Sequence, residues 1–409
     1  MNLFIKKEKA RLNSYTFVHF YHFLKSTFKK KKMDPRFDLD NIIHTYLVEK
    51  NMSCKLDLDP DLPKSFYTQI SNRLKHIFHT RNLYSTQFIR ERIIKIKNNR
   101  KQLHKLFLLE KIEQRTPIWY HVRTQLITAS DFGDALGIEK FGRKGDPKKF
   151  YEKKCGFVES TFDSASNIFL QWGVMFEPIA TDLYMKRTGI HVHEFGLVKN
   201  PKHTFLGASP DGITDLGVML EIKCPYKRVI TEDSFLKQYY YQMQGQLDAC
   251  DLDECDFLEA KFETYTNEQD FFEDYEKEFD TFTERFQEKG ILIKSEDGKS
   301  FTYSPSEASA KELRIWIKEH VTEHIKKSNI IFWYLEKFSL KRVDRDPRFI
   351  CNMNNELDTV WKNVLKYKEN PDIFEEEYKK KTRVTKLPIK MIDSNIVGAL
   401  FIHDSDEDM

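Results

Sequence analysis

Long apolar runs are missing from this chain: none approaches the roughly 20 residues that span a bilayer, so a transmembrane anchor is not expected. Cysteine is sparse, six among 409 residues (Cys54, Cys155, Cys224, Cys250, Cys255 and Cys351), and no C-x-x-C pair occurs. That scatter excludes a disulfide-stapled scaffold and predicts reduced thiols in a cytosolic compartment. Cys250 and Cys255 have no close partner pair, so a metal role for them is not expected. A strong charge of one sign is also missing. The 66 Lys and Arg nearly balance 63 Asp and Glu, leaving +3, so composition alone announces no nucleic-acid partner. The basic and aromatic first 32 residues lack the small-residue cleavage site of a signal peptide.

What is present is the balance of a soluble globular protein, 40% hydrophobic and 32% charged, long enough for a sizeable core in one large domain with appendages or in two domains. Its charge is unevenly placed. Residues 1–32 carry nine Lys/Arg against one Glu, residues 87–111 eight against two acids, and residues 248–285 fifteen acids against three bases. A basic N-terminal half beside an acidic flank would steer a polyanion such as DNA to one side. The run Lys29 to Lys32 reads as a solvated or DNA-contacting end, with nuclear import an alternative and Met33 an alternative start. Residues 34–111 read as mostly helical around a Pro-punctuated loop at 57–64, with helices at 66–80 and 85–110. In the latter, Phe88, Ile89, Ile93, Ile96, Leu103, Leu106 and Phe107 make an apolar stripe. Its bases, among them Lys95, Lys97, Arg100 and Lys101, are either a solvated face or a patch that tracks a phosphate backbone.

One stretch, 205–225, holds residue types that make chemical sense only together. Ser209-Pro-Asp-Gly212 is turn chemistry, with Pro fixing φ and Gly allowing a positive φ. The run Val218-Met-Leu-Glu-Ile-Lys223 reads as a buried strand. Alternate strand residues share a face, so Glu221 and Lys223 project together, and a hairpin-like return places Asp211 beside Glu221. Taken singly, such a turn and such a Glu-x-Lys pair are ordinary. In tandem on an apolar strand, the charges are costly unless paired or metal-bound. Two carboxylates and a lysine suit metal-assisted phosphodiester hydrolysis: carboxylate oxygens hold Mg²⁺ at about 2.0–2.1 Å, and Lys223 orients water or offsets transition-state charge.

Elsewhere, Trp119 and Arg123 fall on a short helix, and Ser130 is placed to cap a helix starting at Asp131, a ready anion site. Residues 140–166 read as a loop-rich connection. Residues 167–188 read as a helix ending at Gly189 and kinked or restarted at Pro178, with Glu177 at the break. Strands are expected at 191–198 and 204–208, with His191 and His193 facing solvent for want of a third ligand. A helix at 234–250 and a strand at 255–263 complete an α/β order. A hairpin turned at Asp297-Gly298 and helices at 307–341 and 354–368 follow, anchored by Trp316, Trp333 and Trp361, before an acidic tail at 404–409.

Asp211 followed by Glu221-Ile-Lys223 resembles the PD-(D/E)xK nuclease motif, and Glu221-Ile-Lys-Cys-Pro225 preceded by Ser209-Pro-Asp-Gly212 resembles its lambda-exonuclease and YqaJ-type viral recombinase group. Trp119-Tyr-His-Val-Arg123 with Ile127-Thr-Ala-Ser130, Gly173-Val-Met-Phe-Glu177-Pro, and Tyr241-Gln-Met-Gln244 are similar to that group's further motifs, in order, over about 113–265. The resemblance implies a mixed β-sheet flanked by helices, the nuclease core at 113–285; outside it, charge and periodicity read as a basic, mostly helical N-terminal extension (1–112) and a C-terminal hairpin and helical region with an acidic tail (286–409). It implies that Glu177, Asp211, Glu221 and the backbone carbonyl of Ile222 hold Mg²⁺ or Mn²⁺, that Lys223 positions the nucleophile, and that Gln242 supports the site. Arg123, Ser130 and Ser209 would bind a terminal 5′ phosphate. The implied activity is 5′-to-3′ exonuclease action on linear duplex DNA in viral recombination or replication. A structure-specific endonuclease and a catalytically silent DNA-binding or virion protein of the same fold are the alternatives. The family often pairs with a single-strand annealing protein, and some members are ring trimers. Host cytoplasm or a viral factory is the implied location, with virion packaging and the nucleus as alternatives.

Overall fold

The computed structural model describes residues 35–49, 72, 85–140, 143–158, 167–231, 235–276, 288–306, 308–322 and 325–381. The readings for 1–33, 57–64, 159–166 and 404–409, for Cys54, and for all of 66–80 except residue 72 fall outside these. The strands are β1 (Ile127–Thr128), β2 (Glu139–Lys140), β3 (Arg143–Lys144), β4 (Val192–His193), β5 (Val198–Lys199), β6 (Leu206–Ala208), β7 (Gly212–Thr214), β8 (Met219–Lys223), β9 (Glu254–Thr264), β10 (Lys289–Lys294), β11 (Phe301–Tyr303) and β12 (Ile330–Asp344). The helices are α1 (Pro35–Glu49), α2 (Thr86–Phe107), α3 (Pro117–Thr124), α4 (Phe132–Ala135), α5 (Pro147–Cys155), α6 (Ile168–Thr188), α7 (Lys237–Cys250), α8 (Glu268–Tyr275), α9 (Ala310–His320), α10 (Pro347–Glu369) and α11 (Pro371–Lys381).

Seven strands form a mixed sheet in the order β11-β10-β12-β9-β8-β7-β4, in which only β8 and β9 run parallel. A smaller sheet has the order β1-β6-β5, and β2-β3 is a hairpin. Helices cover both faces of the large sheet, as the α/β reading expects. On one face Trp172, Phe176, Ala180 and Leu183 of α6 pack on Leu220, Ile222, Leu258, Ala260 and Phe262. Phe176 stacks on Phe262 with centroids 4.5 Å apart, both fully buried; burying each ring stabilises the fold by about 1.5–3 kcal/mol. On the other face Leu103 and Leu106 of α2 and Met243 and Leu247 of α7 meet Met219, Cys255 and Phe257. The period of two therefore sends Leu220 and Ile222 toward α6, and Met219, Glu221 and Lys223 toward α7.

Helix α6 starts where the Asn167 side chain accepts from the N–H groups of Phe169 and Leu170, and ends at Gly189, φ 69°. It is not restarted at Pro178; the helix runs unbroken through it. Gly212 does not use a positive φ; it is needed because a Cβ there would lie 2.3 Å from Val192 Cγ1. The positive φ belongs to Gly217, at 70°, where β7 turns into β8. Two further corrections concern elements. Residues 140–166 contain helix α5, with Pro147 inside its first turn and Asp146 accepting from Lys149 N–H. Among the described residues of the expected 307–341 helix, only Ala310–His320 is α-helical, with a 3₁₀ turn at Lys327–Asn329, and residues 330–344 form the longest described strand. A β-bulge between Leu335 and Lys337 explains the misreading. Ile331, Trp333 and Leu335 face the α6 cluster before it, Phe338 and Leu340 after it, so the period of two changes parity midway. Because β10 and β12 belong to the large sheet, that sheet crosses the boundary expected at 285/286.

The helices before residue 112 also belong to the core. Leu39 and Ile43 of α1 and Ile89, Ile93 and Ile96 of α2 pack on Ile190, Leu216 and Val218. The basic face of α2 is partly built in. Arg100 is buried and donates to the carbonyl of Asp215 at 2.9 Å, and Lys95 pairs with Glu254 at 3.1 Å and Asp344 at 3.3 Å. These two bases are therefore packing groups, not members of a solvated or backbone-tracking face. Arg92 grips both oxygens of Asp40 at 2.6 and 2.7 Å and Glu254 at 2.5 Å. Arg342 of β12 donates to Asp40 at 3.0 Å and pairs with Asp256, which also accepts from Tyr184 at 2.7 Å. This buried network ties α1, α2, α6, β9 and β12 together. Removing one member leaves uncompensated buried charge, so Arg342→Met is expected to lower stability by about 3–5 kcal/mol in urea unfolding. A loss under about 1 kcal/mol would contradict that role.

Candidate active site

Glu221 is wholly buried on β8 and points at α7, where Gln242 and Gln246, one turn apart, each donate to one of its oxygens at 2.7 Å. Lys223, two residues on, donates to the same Oε1 as Gln242. Tyr239 lies on the same face of α7 as Gln242 and Gln246, its ring centroid 5.2 Å from Lys223 Nζ. Strand β7 begins at Gly212, paired with Leu220. The N–H of Ile222 is thus beyond the ladder, and Asp211 takes it, with Oδ2 accepting at 2.7 Å. Glu177 comes from α6 and pairs with Arg115, Nη2 to Oε2 3.1 Å.

The electrostatics follow from this crowding. Burial pushes the Asp211 carboxyl well above the usual carboxylate range, and Glu221 and Glu177 push it further. Burial raises Glu177 as well, against Arg115 and Lys223. Burial pulls Lys223 down, but Glu221 and Asp211 outweigh it and hold the ammonium above the ordinary lysine range. Lys223 is therefore a donor and a charge here, not a base. The structure brings together Glu177, Asp211, Glu221, Lys223 and Gln242. Gln246, Tyr239 and Arg115 were missed, although Gln246 stands one helical turn from Gln242.

The donor set fits a hard divalent cation: carboxylate oxygens from three segments, wholly buried at Glu221 and partly buried at Asp211 and Glu177, without imidazole, and with two cations, Lys223 and Arg115, for three acids. Burial, with Glu177 and Asp211 close by, pushes the neighbouring Cys224 thiol well above its ordinary range. As placed, no three His, Cys, Asp or Glu side chains among the described residues close on one point. Glu221 is held by Lys223 and two glutamines, and Glu177 by Arg115.

A second cluster lies alongside. Arg123 on α3 donates to Ser130 Oγ at 3.0 Å and stacks 4.3 Å above the Trp119 ring. Trp119 Nε1 donates to Ser209 Oγ at 2.9 Å, so all three expected anion-binding residues are joined, two residues from Asp211. Ser130 is not the cap: Thr128 stands there, its N–H and hydroxyl bound to Asp131 at 3.1 and 2.7 Å, and Ser130 lies exposed within the 3₁₀ turn Ala129–Asp131. Buried Lys154 of α5, which lay in the stretch read as loop, pairs with Asp131 at 2.7 Å and donates to the carbonyls of Arg123 and Leu126 at 2.8 and 2.6 Å. Burial would raise Asp131, yet Lys154, Arg123 and Lys153 hold it well below the usual range, which marks a positive local field. The histidine pair divides. His191 is exposed, as expected, whereas His193 is partly buried and shares Asp215 with His44, at 2.6 and 2.9 Å.

Asp211 generates a stability prediction. A raised folded-state pKa favours the neutral form, so its contribution is complete below the unfolded carboxylate range and is lost as pH rises through the folded value. In chelator at neutral pH, Asp211→Asn keeps the acceptor for Ile222 N–H, sheds the charge, and is expected to be more stable than wild type by about 1–2 kcal/mol. The difference should shrink as pH falls toward about 4. A destabilised variant at neutral pH would contradict the repulsion described here.

Residues 118–253 match the family described as YqaJ-like viral recombinase domain. An uncharacterized protein of Acanthamoeba polyphaga mimivirus, R354, is 26% identical over 309 residues, 64% of this chain and 54% of that protein. This chain thus spans about half the length of that relative. Among solved structures, an alkaline exonuclease of Laribacter hongkongensis is similar over 64% of this chain and 100% of its own, with 17% identity and a TM-score of 0.40. A phage-related exonuclease of Haemophilus somnus is similar over 58% and 93%, with 14% identity and a TM-score of 0.33. The matched segment, which holds Arg123, Ser130, Glu177, Ser209, Asp211, Glu221, Lys223 and Gln242, carries the YqaJ-like viral recombinase domain that the motifs resemble.

Proposed function

We propose that this chain is a Mg²⁺- or Mn²⁺-dependent DNA exonuclease that digests linear duplex DNA from 5′ to 3′ in viral DNA recombination or replication. The grouping of Asp211, Glu221 and Lys223 around the end of β8, with Glu177 of α6 near enough to raise the Asp211 carboxyl, supports the reading. A non-catalytic binding protein gains nothing from carboxylates facing phosphates. No helix among the described residues is long and apolar enough to cross a membrane.

Asp211, Glu221, Glu177 and the carbonyl of Ile222 would hold the cation. When bound, it polarises a phosphoryl oxygen and acidifies a water. The chain does the rest. Gln242 and Gln246 fix the Glu221 carboxylate in one orientation. Lys223, kept protonated, offers N–H donors to the attacking water or to charge growing on the phosphoryl oxygens. Arg123, flat on Trp119 and next to Ser130, presents a fork that suits a phosphate bidentately. A terminal phosphate carries more charge than an internal one, so this pocket would distinguish an end from the middle of a strand. Asp211 and Glu177 must be ionised to bind the cation and both are raised, so cation binding and turnover are expected to increase with pH through that range.

The direct test offers linear and open-circular duplex DNA with Mg²⁺ and with EDTA; digestion of the linear form alone, lost in chelator, is the expected result. Lys223→Ala should lose about 10²–10³-fold of that activity, and wild-type digestion by this variant would sink the assignment. Duplexes with 5′-phosphate ends should be preferred over 5′-hydroxyl ends, with Arg123→Ala erasing most of the preference. Equal rates on both ends in the wild type would mean that no such pocket operates.

A further inference from the structure

Arg115 lies outside every residue given a role above, yet its guanidinium sits on Glu177, with Nη2 3.1 and 3.4 Å from the two carboxylate oxygens. Its backbone is in the left-handed region, φ 65°, a conformation that is unfavourable for a residue with a Cβ. Neighbouring contacts impose it. Gln114 donates to the carbonyls of Phe195 and Pro210 at 3.0 and 3.1 Å, the second of these directly before Asp211. Thr116 donates to the Glu113 carbonyl at 2.8 Å and caps α3, and Leu197 N–H donates to the Ile112 carbonyl at 2.9 Å. A Cβ on Gly196 would fall 1.8 Å from that carbonyl, so segment 112–116 lies directly against the chain beside it. Strain over-determined in this way, next to carboxylates that crowd one another, points to function. The root of Arg115 is fixed, whereas its side chain is 48% exposed, in an ion pair of the kind that contributes little stability.

We infer that Arg115 is an exchanging phosphate-binding residue: it neutralises Glu177 while the carboxylates hold no divalent cation, and turns to a phosphate of the DNA strand when the cation takes Glu177. This rests on the metal-site reading above. A guanidinium and a divalent cation on one carboxylate repel each other. Displaced from Glu177 on a pinned backbone, the guanidinium retains its solvent-exposed side, where a phosphate offers the bidentate acceptor it fits.

Arg115→Gly tests this, because glycine suits the left-handed backbone while the whole side chain, guanidinium included, is removed; Arg115→Lys keeps the stem and a charge. Mn²⁺ titrated calorimetrically into the full chain without DNA should bind the variant about two- to fivefold more tightly than wild type. Turnover of linear duplex DNA at saturating Mn²⁺ should nevertheless fall by about tenfold or more, with Arg115→Lys intermediate. Equal or weaker Mn²⁺ binding by Arg115→Gly, or undiminished turnover, overturns the assignment of Arg115 alone. A wild-type chain that bound no Mn²⁺ would overturn the metal-site reading and this inference with it.

Discussion

Mutual repulsion between the wholly buried Glu221 and the partly buried Asp211 and Glu177 near the end of β8 is the constraint around which the rest of the chain is arranged. Asp211 and Glu221 are forced together by the β7–β8 pairing of Gly212 with Leu220, and Glu177 adds a third acid from α6. Every neighbour answers that charge. Lys223 lies on Glu221, two glutamines of α7 hold its oxygens, the N–H of Ile222 meets Asp211, and Arg115 meets Glu177. A fold built only for stability would place apolar residues there. Local charge crowding retained against stability marks a site whose compensation arrives from outside the chain.

Holding such a site demands a rigid frame, and the frame extends well beyond the motif-bearing segment. β8 is buried on both faces, flanked by β9 and β7, and β9 is fixed in turn by the eleven paired positions it shares with β12. The network of Arg92, Asp40, Glu254, Arg342 and Asp256 draws α1 and α2 onto that frame from the N-terminal side. Helix α10 supports the arginine pocket from the C-terminal side, where Met353, Leu357 and Val364 pack in one cluster with Ile127, Ala129 and Phe132. The side chains of the site are thus presented by strands and helices, which position chemistry more closely than loops do.

The legible part of the sequence was the part with unambiguous period or cap chemistry. β8 was a short apolar run opened by turn chemistry, α6 ended in a glycine, and the stripe of α2 was regular, so those elements lie where they were expected. The shared face of Glu221 and Lys223 followed from strand parity, and the place of Asp211 beside them from the hairpin-like return at the Ser209–Gly212 turn. Three kinds of signal stayed hidden. The bulge near Leu335 reversed the parity of β12, so its apolar positions mimicked a helix. Arg92 and Arg100 stood among the bases read as a solvated or backbone-tracking face because their partners, Asp40 and Glu254 for the first and the carbonyl of Asp215 for the second, are distant in sequence. Arg115 and Lys154 gave no local sign of function, since each takes its meaning from a carboxylate tens of residues away.

The central claim is that Asp211, Glu221 and Glu177 with the Ile222 carbonyl form one divalent-cation site. Crystals of the full chain grown with Mn²⁺, with anomalous scattering recorded at the manganese edge, address it most directly. The expected result is a peak within about 2.0–2.4 Å of oxygens from Asp211, Glu221 and Ile222, with Glu177 turned from Arg115 toward it. A chain that showed no peak there, with Glu177 still paired to Arg115 at saturating Mn²⁺, would contradict the account.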